Sequence, residues 1–449
     1  MINEQPNKIE MNNNNDDNDN NSSTNYYYNN ALSLVITSYK IEFEGSSNQF
    51  VNYIIKYKSN SNLFSNNSVN HDDDNTVKRR YKDFKFLYMN LLKNFPASII
   101  PPLPNQHRLE YLKGDRFSNE FIQTRLNELQ LFLFRLSLHP LLNRSKVLIK
   151  FLTSSEWNSY VMSNATNNQL MESNDEKYFI DQLSDNFINI FIKLKKPNEE
   201  FVRICEELDK FNNNLIKLQT QFQKLKLKFF TTSSNSIDVD LIGDYDDQSS
   251  SVQSLAYLES GITEPLNRFS HIQLEYSNNL KNFSILSFDN NLNHINSLIK
   301  LTNNFKNLLK LRDQKQLDYE QLTTYHQQLS IQHHNLVSNK NDQLNLTNYL
   351  TSKIDQLRGT DDDKHKVEKI RKLENQMKQL ELAVQTSSQH CNEFSEAVLR
   401  EYSIFDMIKR IEMKDILSQL AKGHIASYNS TIEEFDKIIP HLQKIKVDV

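Results

Sequence analysis

Residues 78–84 read Lys78-Arg79-Arg80-Tyr81-Lys82-Asp83-Phe84, and the chain then reaches Pro101-Pro102-Leu103-Pro104. Two adjacent arginines followed by an aromatic, at the end of a strand, offer a planar guanidinium grip for an anion beside a flat apolar face. That combination suits a phosphorylated ring, with guanidinium for the phosphate and the aromatic for the ring face. A solvated basic strand end with one aromatic packed inward explains the local string equally well, because basic runs usually face water.

Upstream, 32–43 and 50–58 read as strands, with Val51, Tyr53, Ile55 and Tyr57 alternating with Asn52, Lys56 and Lys58. Residues 59–75, rich in Ser and Asn and carrying Asp72, Asp73 and Asp74, read as an expanded hairpin loop. A third strand, roughly 76–81, then delivers the arginines at its end. Downstream, Phe84, Leu87, Tyr88, Leu91 and Leu92 follow helical spacing and Pro96 closes that helix. The Pro101–Pro104 segment is extended, since proline fixes φ and disfavours helix in the residue before it. A second helix starts at the N-cap Ser118, points Phe121, Leu126, Leu129, Leu133 and Leu136 inward, and stops at His139-Pro140. A short helix through Val147, Leu148, Phe151 and Leu152 completes an α+β domain of three strands, helices and a proline crossing, assigned to 31–160.

At 449 residues the chain has room for two or three domains, and six Gly and nine Pro are too few for loop-rich β structure throughout. Proline is absent from 266 to 439, which permits very long helices. The formal charge of −4 supplies no global attraction to nucleic acid or to an anionic membrane. It is unevenly spread: residues 1–75 carry four Lys and ten acids, net −6, and residues 76–150 carry fourteen Lys and Arg and five acids, net +9. A basic module within a mildly acidic protein points to a localised anionic partner. Cys205 and Cys391 are distant in helix-like sequence, so neither a disulfide framework nor a metal site is expected, and a reducing compartment fits. The Asn-rich N-terminus has no apolar leader segment and reads as a disordered tail over 1–30. No run approaches eighteen apolar residues, so any membrane association is expected to be peripheral.

Beyond about residue 175 everything reads as helix. Phe179, Leu183, Phe187, Ile190, Phe191 and Leu194 share one face of 177–196, which ends in Lys193, Lys195 and Lys196. That amphipathic stretch, within a linker assigned to 161–196, suits either a protein core or insertion at a lipid interface. From Phe201 to Phe229 the apolar residues step by three and four without a break. Residues 231–251 read as a loop, followed by helix to about 337, bent at Pro265, with Leu298, Leu301, Phe305, Leu308 and Leu311 inward. A polar stretch containing Gly359 precedes a last helix to about 445, whose inward residues are taken as Phe394, Val398, Phe405, Ile408, Ile411, Leu420, Ile425, Ile432 and Phe435. Three such antiparallel helices form a rod over 197–449, with more apolar positions than one rod needs, so pairing along the seam is expected.

Enzyme signatures are absent: there is no Gly-x-Gly-x-x-Gly, Walker loop or Gly-x-Ser-x-Gly. His333-His334 are neighbours that face different directions on a helix, which suits a surface pair better than metal ligands. The Pro-Pro-Leu-Pro run, embedded between folded elements, reads as a pocket wall rather than an SH3 ligand. Lys300, Lys306, Lys310, Arg312, Lys315, Lys409, Arg410 and Lys414 on the long helices would, on the concave side of a curved dimer, meet anionic headgroups at about 1 kcal/mol each.

The order Arg79-Arg80-Tyr81-Lys82-Asp83-Phe84, Pro-Pro-Leu-Pro, Gly114-Asp115-Arg116-Phe117 and Phe121-Ile122-x-x-Arg125 resembles the PX (phox-homology) domain of sorting nexins. Lys310-Leu311-Arg312-Asp313-Gln314, Lys353-Ile354-Asp355 and Ile408-Lys409-Arg410-Ile411-Glu412-Met413-Lys414 resemble a sorting-nexin BAR domain. The resemblance implies binding of phosphatidylinositol 3-phosphate, with Arg80 on the 3-phosphate, Tyr81 on the inositol ring and Arg125 on the 4- and 5-hydroxyls. The family usually has a Lys for the 1-phosphate where this chain has Gln106, followed by His107 and Arg108. Leu109, Tyr111 and Leu112 then look like an apolar loop able to dip into the bilayer, as would Phe187 and Phe191. The implied protein is a non-enzymatic peripheral membrane adaptor without cofactor or nucleic-acid partner. It would act in endosomal recycling and selective autophagy, at early endosomes and pre-autophagosomal membranes. It would form a heterodimer with a related sorting nexin, or a homodimer. The competing reading is a coiled-coil tether or scaffold whose PX-like part only packs.

Overall fold

The computed structural model describes residues 32–44, 46, 49–59, 75–104, 117–165, 197–229, 241–258, 261–337 and 362–443. The asparagine-rich tail, most of the 59–75 loop, Gln106, Leu109, Tyr111, Leu112 and the 177–196 stretch with Phe187 and Phe191 lie outside them.

The N-terminal unit is built on an antiparallel sheet of β1 (Ser33–Glu42), β2 (Phe50–Lys58) and β3 (Asn75–Arg80), in that order. The alternation in β2 does what its sequence dictates: Tyr53, Ile55 and Tyr57 are buried. Lys78 lies opposite Ile54 and Arg79 opposite Tyr53. The third strand ends one residue earlier than its sequence suggested. Arg80 is still extended, at φ −93° and ψ 166°, but Tyr81 already opens helix α1 (Tyr81–Asn94). Asp83 starts the helix by accepting the Arg80 backbone N–H at 2.8 Å, which satisfies an otherwise orphaned donor.

Helix α2 (Asn119–Leu138) begins at Ser118, whose Oγ accepts from the Phe121 N–H at 3.3 Å. Its Gln130 covers the outer edge of β1: Nε2 donates to Leu34 O and Oε1 accepts from Ile36 N. Helices α3 (Lys146–Thr153) and α4 (Trp157–Ala165) close the unit. Phe84 lies at its centre, edge-on to Tyr53, Phe132 and Phe151, and Trp157 meets Phe86 and Phe151 edge-on.

Among the described residues the C-terminal unit is helical: α5 (Glu199–Phe229), α6 (Leu241–Leu258), α7 (Thr263–Phe283), α8 (Asn290–Val337) and α9 (Asp362–Leu442). Helices α7 and α8 join through a π-helical turn, Ser284–Asp289. With 81 residues, α9 is about 120 Å long. It runs antiparallel to α8, as the Arg312–Ser395 and His333–Glu374 contacts show. Helix α5 runs antiparallel to α8 on another side, through Gln219–Asn296 and Asp209–Lys306. Phe201, Ile204, Leu208, Leu298, Leu301, Phe305, Val398, Phe405 and Ile408 form the shared core, with Phe305 stacked on Phe405 at 5.3 Å.

Several expectations change. Residues 241–251, read as loop, belong to α6, which folds back on α7. Ser249 and Ser270 exchange hydrogen bonds across that contact, so small residues let the two backbones approach. Ser250, Ser251 and Ser254 turn their hydroxyls onto carbonyls four residues back instead of breaking the helix. Pro265 sits in the first turn of α7, where a missing N–H costs no intrahelical bond, so it helps begin a helix rather than bend one. Ile425 and Ile432, expected inward, are 58% and 57% exposed in the single chain. Of the cations expected at a membrane face, Arg312 is buried against Phe201, Lys306 pairs with Asp209, and Lys409 and Arg410 pair with Asp406. Lys310 and Lys414 remain exposed.

Candidate functional site

The arginine doublet divides its labour. Arg79 alternates inward with Tyr53's face of the sheet and is 6% exposed. Its Nε donates to Phe151 O, Nη2 to Ser154 O and Nη1 to Lys78 O, each at 2.8 Å. The guanidinium also lies 5.5 Å from the Phe151 ring centroid and 5.3 Å from that of Trp157. Burial pushes its pKa down, against the raising effect of Asp83 and Tyr57. Arg79 thus ties β3 to the end of α3, and the doublet is not a two-arginine anion grip.

Arg80 points the other way, and its side chain is 43% exposed. Its guanidinium lies 5.8 Å from the Phe50 centroid, with Nε 3.8 Å from Asp83 Oδ1. Because Arg80 caps α1, the positive end of that helix adds to its charge, a placement that favours an anion. Asp83 is buried, which pushes its carboxyl up. The Arg80 N–H, Trp157 and the charges of Arg80 and Arg79 act against that rise.

Tyr81 and Arg125 come together although 44 residues separate them in sequence. Arg125, on the second turn of α2, is 7% exposed, with its guanidinium 4.5 Å from the Tyr81 centroid and 4.4 Å from the Phe121 centroid. Two aromatic rings therefore fix the plane of one guanidinium, leaving its edge as the hydrogen-bonding part. Tyr81 Oη donates to Pro104 O at 2.7 Å, which joins the proline crossing to the same place. Pro101 and Pro104 are buried, as a wall would be.

A cavity of about 590 Å³ opens beside β3, lined by Phe50, Lys78, Arg80, Asp83, Ser154 and Trp157 among others. Tyr81 and Arg125 lie outside its lining, so it is not by itself the place where one ligand would meet all three residues. Asp83 and Phe121 are the partners the sequence reading passed over. Asp83 was visible as the carboxylate three residues into a helix, and Phe121 as the residue one turn before Arg125. Among the described residues no helix is long and apolar enough to cross a membrane. His333 pairs with Glu374, and burial raises the Cys205 thiol to about 11.

A family model described as the PX domain matches residues 67–155. Over 414 residues the chain is 38% identical to a Sorting nexin-4 from Cryptococcus neoformans var. neoformans serotype D, covering 91% of this chain and 80% of that protein. A Sorting nexin-4 from Gibberella zeae is 32% identical over 403 residues, covering 90% of this chain and 84% of that one. Among solved structures, the SNX-BAR Mvp1 tetramer covers 90% of this chain and 99% of its own, at 16% identity and a TM-score of 0.47.

Proposed function

The chain belongs to the sorting nexins, and on that premise we propose that it is a peripheral membrane adaptor that binds phosphatidylinositol 3-phosphate through its PX unit and curved membrane through a dimer of its helical, BAR-type rod. The observation that carries the headgroup reading is the division of labour at 79–81. Arg79 is consumed by the fold, Arg80 stays accessible at a helix N-terminus, and Tyr81 lies against the guanidinium of Arg125. In this reading Arg80 meets the 3-phosphate, Tyr81 the inositol ring and Arg125 the 4- and 5-hydroxyls. Gln106 lies at the 1-phosphate, and Leu109, Tyr111 and Leu112 dip into the bilayer. Phe187 and Phe191 do the same from the linker.

The dimer reading rests on a stripe of α9. Ile425, Tyr428, Ile432, Ile439 and Leu442 are all about half exposed or more, at spacings of three, four, seven and three. That is the a/d spacing of a helix seam left open by the described residues of its own chain. A related sorting nexin is the proposed partner, with a second copy as the alternative occupant. One weak headgroup site per chain then becomes two tethered sites per particle, which multiplies affinity without new contacts. Endosomal recycling and selective autophagy are the proposed settings, at endosomal and pre-autophagosomal membranes. Domain limits of 31–160 for the PX unit, 161–196 for the linker and 197–449 for the rod go with this reading.

Flotation with vesicles containing phosphatidylinositol 3-phosphate tests it. Arg80→Ala is expected to remain folded and stop floating. Unchanged flotation of that variant would favour the coiled-coil tether, with a PX-like part that only packs.

A further inference from the structure

Arg135 is wholly buried, and its counter-ion is not in its own unit. It projects from α2 into the rod, where Nε meets Glu412 Oε1 at 2.6 Å and Nη2 meets Glu412 Oε2 at 2.8 Å. Its Nη1 donates to Ser297 Oγ at 2.8 Å. His294 Nε2 lies 3.2 Å from Glu412 Oε2 and completes the cluster.

A second lock lies at the end of the same helix. His139 Nδ1 accepts the N–H groups of Leu141 and Leu142, each at 3.3 Å, so the ring proton sits on Nε2. That nitrogen donates to Glu401 Oε2 at 3.0 Å, and the same oxygen accepts the Ile99 N–H at 2.9 Å. Ile99 itself packs into the rod's core, and Asn304 Nδ2 donates to Ile100 O at 3.1 Å.

The two carboxylates share one face of α9. Glu401 and Glu412 are eleven residues apart, about three turns or 16 Å along the helix. Each is exposed by 2% or less and each is engaged by a residue of the PX unit. The helix that carries Arg135 also carries Arg125, ten residues or about 15 Å nearer its start.

An apolar contact tolerates sliding. A two-pronged guanidinium–carboxylate pair does not, because rotation of either unit strands a buried charge. Units joined by a long connection ordinarily move against one another, and residues 166–196 connect α4 to the start of the rod. Here two buried, hydrogen-bonded pairs cross the interface and oppose such motion.

We propose that Arg135–Glu412 and His139–Glu401 hold the headgroup site at one fixed angle to the rod, making these four positioning residues for membrane binding. This rests on the lipid-binding reading above. Seating the rod on a curved surface then brings the Arg80–Tyr81–Arg125 site down at a set tilt. Either event alone pre-aligns the other.

The test uses the full chain with Arg135→Met and Glu412→Met together, which keeps volume but removes the directional pair. Glu401→Gln serves as a milder second variant in case the first fails to fold. Three measurements are taken: binding of a water-soluble short-chain phosphatidylinositol 3-phosphate, binding to small against large vesicles containing that lipid, and small-angle scattering without lipid. Short-chain affinity is expected to stay within twofold of wild type. The preference for small vesicles is expected to fall about tenfold, part of the avidity that tethering supplies, and the lipid-free particle is expected to expand. An unchanged scattering profile together with unchanged vesicle preference would overturn the proposal. If wild type binds no 3-phosphoinositide, the lipid reading fails, while the scattering comparison still decides whether the pair fixes the angle.

Discussion

Tyr81 Oη donates to the carbonyl oxygen of Pro104 at 2.7 Å, so the aromatic that opens α1 is pinned to the end of the proline crossing. The same ring supports Arg125 on its π face. Tyr81→Phe keeps the ring and loses the pin. It is expected to weaken short-chain phosphoinositide binding about threefold to tenfold, the worth of one neutral hydrogen bond. Tyr81→Leu removes ring and pin and should weaken it further, as titration calorimetry would register.

Neighbouring arginines should give opposite phenotypes. Arg79→Ala leaves three carbonyl groups without their donor and is expected to cost the PX unit at least about 3 kcal/mol. Arg80→Ala removes a half-exposed side chain and should change stability by less than about 1 kcal/mol while lowering headgroup affinity roughly 10- to 100-fold. Thermal unfolding and lipid binding, measured on both variants, separate the two roles.

The open stripe on α9 predicts an assembly phenotype without a folding one. Ile425→Asp with Ile432→Asp places charge on residues already 58% and 57% exposed in the single chain. Helix content is expected to be unchanged, and the mass in solution should fall from dimer to monomer. A dimer of unchanged mass would move the seam elsewhere.

Glu412 titrates far from its ordinary value. Burial pushes its carboxyl up, but the charge and hydrogen bonds of Arg135 and His294 prevail and hold it at about 2, below the usual 4.5. A lowered folded-state value means the contribution is complete above about pH 4.5 and is lost as pH falls from there toward about 2. At neutral pH Glu412→Gln is expected to destabilise the chain by about 3–5 kcal/mol, the cost of stranding a buried partner. The gap between variant and wild type should close as pH approaches 2, when the native carboxyl is protonated too. Denaturant midpoints along a pH series check this.

Gly423 lies where α9 crosses the π turn. A Cβ there would collide with Ser287 Oγ, while Phe283 stands at contact distance, 3.6 Å away. Alanine gains helix propensity of about 1 kcal/mol over glycine, but the overpacking term of about 1–3 kcal/mol opposes it. Gly423→Ala is therefore expected to destabilise. Ser287→Ala in the same chain should restore the loss, leaving two ordinary 3.6 Å contacts, with Phe283 and with the Ser287 Cβ position. A double-mutant cycle measures the coupling.

What the sequence made legible was local. Ser118 caps α2 through an atom three residues away, and the alternation in β2 needs only its own residues. The meeting of Tyr81 with Arg125 was available only through family resemblance, since nothing within either helix announces it. The role of Arg79 was hidden because its acceptors, Phe151 and Ser154, arrive from α3 more than seventy residues later. Helix α6 was hidden for a different reason. Its serines and aspartates resemble a loop, and only packing of Ser249 on Ser270 and Ile242 near Ser277 makes helix the better state. The open face at Ile425 and Ile432 was misassigned as inward because periodicity marks an apolar face without saying which chain covers it.

Arg135 and Glu412 have a last consequence for where this protein can be cut. By sequence the chain divides near residue 160, and a PX unit excised there would carry a naked guanidinium at Arg135, a bare His139 and an uncovered Ile99. A rod prepared without it would carry Glu401 stripped of His139 and Ile99, and Glu412 left with His294 but without its guanidinium, on one face of its longest helix. Each cut surface would thus expose buried polar groups whose partners lie on the other fragment.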